Sequence, residues 1–143
     1  MAAKPIPDGY HTVTPYLLVG RAALVIQFLK DAFGAEEIER MPGPDGGISH
    51  AEVRIGDSVV MMGEPSDPSA RGSAMLYVYL PDVDEAYARA LRAGGVSIQE
   101  PRIEFYGDRT AAVRDPSGNQ WYIATHVEDM SSDELERRAA QAR

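Results

Sequence analysis

The chain has 143 residues, with 14 Lys and Arg against 22 Asp and Glu, and a formal net charge of −8. An acidic chain without a basic run argues against nucleic acid or an anionic membrane surface as a partner. The absence of cysteine excludes disulfides, thiolate zinc sites and cysteine nucleophiles. The N-terminal MAAKPIPDGY has no apolar signal core, and the longest apolar stretch, Ala22 to Leu29, is too short to span a bilayer. We therefore expect a cytoplasmic protein.

The first half of the chain predicts a strand, a helix and a group of further strands. The first strand starts at Thr14, and one apolar stripe with helical spacing runs from Val25 to Ala32. Gly34 follows as a helix stop, and MPGPDGG, residues 41–47, reads as a loop between strands. From His50, HAEVRIGDSVVMM has the pattern of a strand, a tight turn and a second strand.

The second half predicts the same order of elements after a linker, residues 65–73. A strand begins at Met75, and Asp82 with Glu85 forms a capping box that starts the next helix. That helix stops at Gly94, and the turn DPSGN precedes a last strand. A mostly charged tail, residues 131–143, predicts a third helix on the surface.

The two halves repeat one another in sequence as well as in pattern. Tyr16 and Tyr77 lie 61 residues apart at equivalent places, and VR of the strand after His50 recurs 60 residues later. We predict an α+β fold made of two βαβββ modules that form an open, cup-shaped mixed sheet, with an additional C-terminal helix. The single domain, 1–143, divides into modules 10–64 and 74–128, joined by the linker 65–73 and followed by the surface helix 131–143.

The alternation of each strand separates a face that packs on a helix from a face turned away. The second face mixes tyrosine and methionine with histidine and glutamate, which is typical of a pocket with apolar walls and a few placed polar groups. A second hydrophobic core or a dimer interface would fit the same pattern. The candidate ligand-binding residues on this face are Thr14, Tyr16, His50, Glu52, Met62, Glu64, Met75, Tyr77, Tyr122 and His126.

Two histidines on this face have more than one interpretation. The pattern places His50 beside Glu52 and Glu64, which would suit a self-satisfied hydrogen-bonded pair, a ligand contact or a metal site. His126 ends the last strand, where a bond to backbone or a nearby carboxylate competes with a catalytic role. In YGDR, residues 106–109, we expect Asp108 and Arg109 to form an ion pair that fixes the loop.

These residues resemble the vicinal oxygen chelate superfamily, which contains glyoxalase I, extradiol dioxygenases and bleomycin-resistance proteins. The similarity rests on YLLVGRAALVIQFLKDAFGAEEIER, HAEVRIGDSVVMM and YGDRTAAVRDPSGNQWYIATH, and it covers the chain except its first residues and last helix. Within the superfamily, YGDR followed by DPSGNQWYIATHVED is closest to the PhnB-like members.

The resemblance also implies where a metal would be held. The family's metal enzymes place His, Gln or Glu at four cavity-facing positions, which correspond here to Thr14, Met62, Met75 and Tyr122. Two thioethers, a hydroxyl and a phenol are poor ligands for Mg²⁺, Mn²⁺, Ni²⁺ or Zn²⁺. We therefore expect no metal cofactor at the usual site.

The leading hypothesis is a metal-free protein that sequesters an aromatic or apolar small molecule, with antibiotic resistance as one use. The resemblance to bleomycin-resistance proteins implies a homodimer. The alternative is a metal-dependent lyase, isomerase or dioxygenase of the same superfamily that uses His50, Glu52 and Glu64. A third possibility is a structural or regulatory partner protein whose cup face is filled by another subunit.

Overall fold

A computed structural model describes residues 2–143 and has the predicted α+β architecture. The first module contains β1 (Tyr16–Leu18), α1 (Ala22–Phe33), β2 (Glu36–Pro42), β3 (Ile48–Ile55) and β4 (Ser58–Gly63). The second contains β5 (Met75–Tyr79), α2 (Val83–Arg92), β6 (Val96–Ile103), β7 (Asp108–Arg114) and β8 (Gln120–His126), and α3 (Ser132–Gln141) follows.

Each module folds its strands into one four-stranded mixed sheet. The strand orders are β1-β4-β3-β2 and β5-β8-β7-β6, so the two sheets have the same topology. In both, the first strand is parallel to the last, and the remaining neighbours are antiparallel. Strands β1 and β5 are therefore both edge strands, and one side of each is left without a ladder partner in its sheet.

The helix ends follow from local chemistry. The Asp82 carboxylate accepts a hydrogen bond from the Glu85 N–H at the start of α2, and Gly34 ends α1 in the left-handed conformation with φ 69°. At the start of α3 the Ser131 hydroxyl accepts from the Glu134 N–H, as the capping pattern predicts. No residue of α3 is buried, so this helix lies on the surface.

One hydrophobic core serves both modules. It lies between the two helices and the inner faces of the two sheets, and Phe28 and Leu29 of α1 are almost fully buried in it. The ring of Phe33 lies 5.5 Å from that of Trp121, which joins α1 of the first module to β8 of the second. Within residues 2–143, no helix combines the length and apolar character needed to cross a membrane.

Candidate functional site

The cup face, the side of both sheets turned away from α1 and α2, exposes large side chains at its centre. Tyr16 of β1 is 47% exposed, and Met75 and Tyr79 of β5 are 60% and 61% exposed. Their neighbours along each strand, such as Leu17 and Leu76, turn toward the core. The alternation predicted for β1 and β5 is therefore confirmed, and it leaves an aromatic and thioether surface on two neighbouring edge strands.

In the first module a chain of hydrogen bonds runs across the cup face. The Tyr16 hydroxyl lies 2.9 Å from His50 Nδ1, and His50 Nε2 lies 2.8 Å from Glu52 Oε2. The Tyr10 hydroxyl donates to the other oxygen of Glu52, which is nearly buried. Burial by itself raises the pKa of Glu52, but the bonds from His50 and Tyr10 outweigh it and lower the pKa. Glu52 is thus an ionised acceptor that orients the His50 ring.

In the second module the buried group is Asp108, at the start of β7. One of its carboxylate oxygens accepts from Tyr77 and Tyr79 at 2.7 and 2.9 Å, and the other contacts His126 Nδ1 at 2.8 Å. Burial raises the pKa of Asp108, yet these three bonds outweigh burial and lower it. The pKa of Tyr77 is raised, first by burial and then by its bonds to Tyr106 and Asp108.

His126 is the exposed end of this second network. Its Nδ1 faces Asp108, and its Nε2 lies 2.7 Å from Asp129 Oδ1. The two carboxylates raise the pKa of His126, first through the hydrogen bond with Asp108 and then through that with Asp129. A strand-end histidine bonded to a nearby carboxylate is one of the two interpretations that the sequence left open.

Met62 is not on the cup face, which corrects the sequence prediction. Strand β4 pairs Met62 with the core residues Leu17 and Ala51, and Met62 is fully buried. Directly paired residues share a sheet face, so it is Met61, the partner of Tyr16, that turns toward the cup. The methionine that faces the cup is therefore Met61, one residue before the predicted Met62.

The cause is a difference in length between the two hairpins. Arg54 pairs with Val59 across the first hairpin, whereas the equivalent Arg114 pairs with Gln120, so the second hairpin holds one more residue. Equivalent residues of the two modules lie 60 positions apart before the hairpin turn, and this spacing no longer holds after the turn. A shift of one residue exchanges the two faces of a strand, so Met62 and Glu64 lie on the helix side of the sheet and not on the cup face.

Glu64 is also misplaced in the sequence prediction. Its carboxylate accepts hydrogen bonds from the N–H groups of Ala22, at the start of α1, and Ile48. Arg21, the residue before the helix, provides no side-chain cap, so Glu64 takes the place of one. The predicted set of His50, Glu52 and Glu64 is therefore wrong as a cluster, because Glu64 belongs to the helix side of the sheet.

The loop ion pair predicted between Asp108 and Arg109 does not form. Arg109 instead donates two hydrogen bonds to Asp84 of α2, at 2.8 and 2.9 Å, while Asp108 turns into the cup network. Adjacent strand residues point to opposite faces, so period-2 alternation could have separated the two. The role of Tyr10 was also missed, because it precedes the first strand and no periodicity places it.

Three cavities along the seam between β1 and β5 share lining residues. One of about 390 Å³ lies at the β5 C-terminal end and is lined by Thr14, Tyr77, Tyr79 and the buried Trp121, among others. A groove of about 420 Å³ continues from it between Tyr16 and Met75. The third cavity, of about 190 Å³, shares Tyr16 with this groove. The seam offers room for a molecule of ligand size with mainly apolar contacts.

The donor set at the family's metal positions does not fit a divalent cation. Once the register of β4 is corrected, the set is Thr14, Met61, Met75 and Tyr122, which still contains no imidazole or carboxylate. Across residues 2–143, no three His, Asp or Glu side chains converge in an arrangement suited to a metal ion.

The sequence model of the glyoxalase/bleomycin resistance protein/dioxygenase superfamily matches residues 10–123, and the chain belongs to this superfamily. An uncharacterized protein of Mycobacterium bovis is 34% identical over 135 residues, which cover 87% of this chain and 89% of the relative.

Two solved structures share the fold. TioX from Micromonospora sp. ML1 is similar with a TM-score of 0.70 and 25% identity, over 82% of this chain and 99% of its own. TnmS3, an antibiotic binding protein from Streptomyces sp. CB03234, is similar with a TM-score of 0.65 and 21% identity, over 81% and 95%. At that level of identity, the likeness to TnmS3 extends to the fold alone.

Proposed function

We propose that this chain is a metal-free small-molecule binding protein that sequesters an aromatic or apolar compound on its cup face. The observation that carries the proposal is the exposed aromatic and thioether surface of β1 and β5 beside the seam cavities. Aromatic rings and thioethers pack well against flat, apolar molecules. An antibiotic is one candidate, since TnmS3, with the same fold, is an antibiotic binding protein.

The proposed ligand contacts follow the corrected geometry. Met61 replaces Met62, and Glu64 leaves the set because it caps α1. The polar groups at the rim would orient the ligand, since the networks around Glu52 and Asp108 hold their tyrosine and histidine side chains in place. The remaining proposed contacts are Thr14, Tyr16, His50, Glu52, Met75, Tyr77, Tyr122 and His126.

Binding can be tested with N-phenyl-1-naphthylamine, a neutral aromatic probe that fluoresces in apolar sites. We expect saturable binding that weakens about threefold to tenfold in Met75→Ala, because removing the exposed thioether removes roughly 1 kcal/mol of apolar contact. Val96→Ala is the matched control, since Val96 is 62% exposed on an edge strand away from the seam. Absence of saturable binding, or equal loss in both variants, would contradict the proposal.

The absence of a functional metal needs its own test. Metal analysis of protein purified without a histidine tag should return no stoichiometric Zn, Ni, Mn or Fe. A stoichiometric metal that is lost in His50→Ala would overturn the metal-free proposal.

We also propose a PhnB-like homodimer, and sedimentation analysis of the purified protein should return the mass of two chains.

A second candidate is an enzyme of the same superfamily, a lyase, isomerase or dioxygenase. The specific observation in its favour is the Tyr16–His50–Glu52 chain, in which an ionised carboxylate orients a histidine next to an exposed phenol. Such a chain could move a proton without Glu64 or a metal. The test is deuterium exchange at carbons next to the carbonyl of small ketones. Exchange that is lost in His50→Gln would favour the enzyme, and exchange equal to buffer would exclude this chemistry for those ketones.

A further inference from the structure

The end of the seam opposite Tyr79 differs chemically from the rest. The cavity of about 190 Å³ beside Tyr16 shares Gly72 and Ser73 with another of about 330 Å³. That cavity is lined by Gly20, Arg21, Arg71, Gly72, Ser73, Pro116 and Ser117. The apolar groove between β1 and β5 therefore leads into a space bordered by two arginines and two serines.

The two arginines are a local concentration of positive charge in an acidic protein. Six of the twelve arginines, such as Arg109 and Arg138, pair with carboxylates. Within residues 2–143, neither Arg21 nor Arg71 has a carboxylate in ion-pair distance. Glu64 is nearby in the fold, and its Oε2 accepts from the N–H groups of Ala22 and Ile48.

Gly20 makes room for one of these guanidinium groups. Its φ lies outside the left-handed region, so its conformation does not require glycine. A Cβ at Gly20 would lie 2.9 Å from Arg71 Nη1 and 3.1 Å from Arg71 Cζ, closer than side chains pack. The Gly20 N–H is held by the Ser117 hydroxyl at 3.2 Å, which links this position to the β7–β8 turn. The lack of a side chain at residue 20 thus allows Arg71 to lie over the backbone at the end of β1.

We propose that the Arg21–Arg71 end of the seam binds an anionic group of the ligand, a carboxylate, sulfonate or phosphate, while the apolar body lies between β1 and β5. A guanidinium matches the geometry of such groups through two parallel N–H donors. This inference rests on the proposed small-molecule binding function and narrows the ligand class to amphiphilic anions.

The test uses two probes that differ in one group. 8-Anilinonaphthalene-1-sulfonate carries a sulfonate, and N-phenyl-1-naphthylamine has the same aromatic body without it. We expect the sulfonate probe to bind more tightly to the unaltered protein, and Arg71→Gln to weaken it about fivefold, as for a partly exposed charge-assisted contact. Gly20→Ala should weaken the sulfonate probe in the same direction, because the new Cβ displaces Arg71. Neither variant should change binding of the neutral probe.

Arg92→Gln is the matched control, because it removes the same charge from α2 at a site that does not line the seam. If the two probes bind equally, or if Arg71→Gln and Arg92→Gln have equal effects, the anion site is wrong while the apolar groove stands. If neither probe binds, the proposed function fails, and the anion site fails with it. Circular dichroism of each variant checks that the fold is retained.

Discussion

The two modules share a backbone but connect their cup tyrosines to buried carboxylates in different orders. In the first, His50 lies between Tyr16 and Glu52. In the second, Asp108 lies between Tyr77 and His126. The central group is therefore a ring that can accept and donate in one module, and a carboxylate that only accepts in the other. The duplicated fold fixes where the tyrosine stands, but the sequence of each copy decides what it binds.

Replacing the buried carboxylate should affect the second module more than the first. Asp108→Asn removes the charge that three side chains contact, and we expect it to lower the free energy of unfolding by roughly 2–4 kcal/mol. Glu52→Gln affects two contacts, from His50 and Tyr10, and should cost roughly 1–2.5 kcal/mol. Urea unfolding followed by the emission of Trp121 measures both. A larger loss for Glu52→Gln would reverse this ranking of the two networks.

Removing one tyrosine hydroxyl from each module makes the same comparison on a smaller scale. Tyr77 donates at 2.7 Å to an ionised carboxylate, so Tyr77→Phe should cost roughly 1–2 kcal/mol. Tyr16 contacts an imidazole and is 47% exposed, so water can replace its partner and Tyr16→Phe should cost about 0.5 kcal/mol or less. Equal losses in urea unfolding would mean that the charge on Asp108 does not strengthen its bond.

The fold could be predicted because long periodic segments and an internal sequence repeat specify its elements. Alternation in β1, β3, β5 and β8 gave the correct faces, and the capping boxes at Asp82 and Ser131 form as expected. The faces of β4 could not be obtained in the same way. Its strand is apolar on both sides, with Val59, Val60 and Met62 all buried, so only the hairpin length sets its register.

The polar contacts of the site were harder to predict than its location. Asp108 and Arg109 are adjacent in sequence, which suggests an ion pair. Their side chains instead point to opposite faces of β7, because adjacent strand residues alternate. The helix-capping role of Glu64 depends on the approach of α1 and β3 in three dimensions, which no local pattern records. Sequence periodicity thus identifies the surface of the site, whereas the hydrogen-bond partners depend on the tertiary fold.

The pH dependence of stability should separate the two modules further. The two carboxylates raise the pKa of His126 in the folded protein. Its contribution to the free energy of unfolding is therefore fully present below the unfolded pKa of about 6.5 and is lost as the pH rises through the folded pKa. The pKa values of Glu52 and Asp108 are lowered, so the pH dependence of their contributions to stability has the opposite sign and these contributions are lost only in acid. We expect stability to fall from pH 6 to pH 9 in urea unfolding, and this component to be absent in His126→Gln. An unchanged slope in the variant would assign the component to another group.

The smallest expected effect concerns the outer partner of His126. Asp129 is 99% exposed, whereas Asp108 is 4% exposed, so water and salt screen the outer pair far more than the inner one. Asp129→Asn should therefore lower the pKa of His126 only part of the way, leaving it above the ordinary histidine value because Asp108 still contacts Nδ1. NMR titration of the His126 ring protons in the unaltered protein and in Asp129→Asn measures this directly. A return to the ordinary histidine pKa would mean that Asp129 sets the pKa of His126 and that Asp108 has no effect on it.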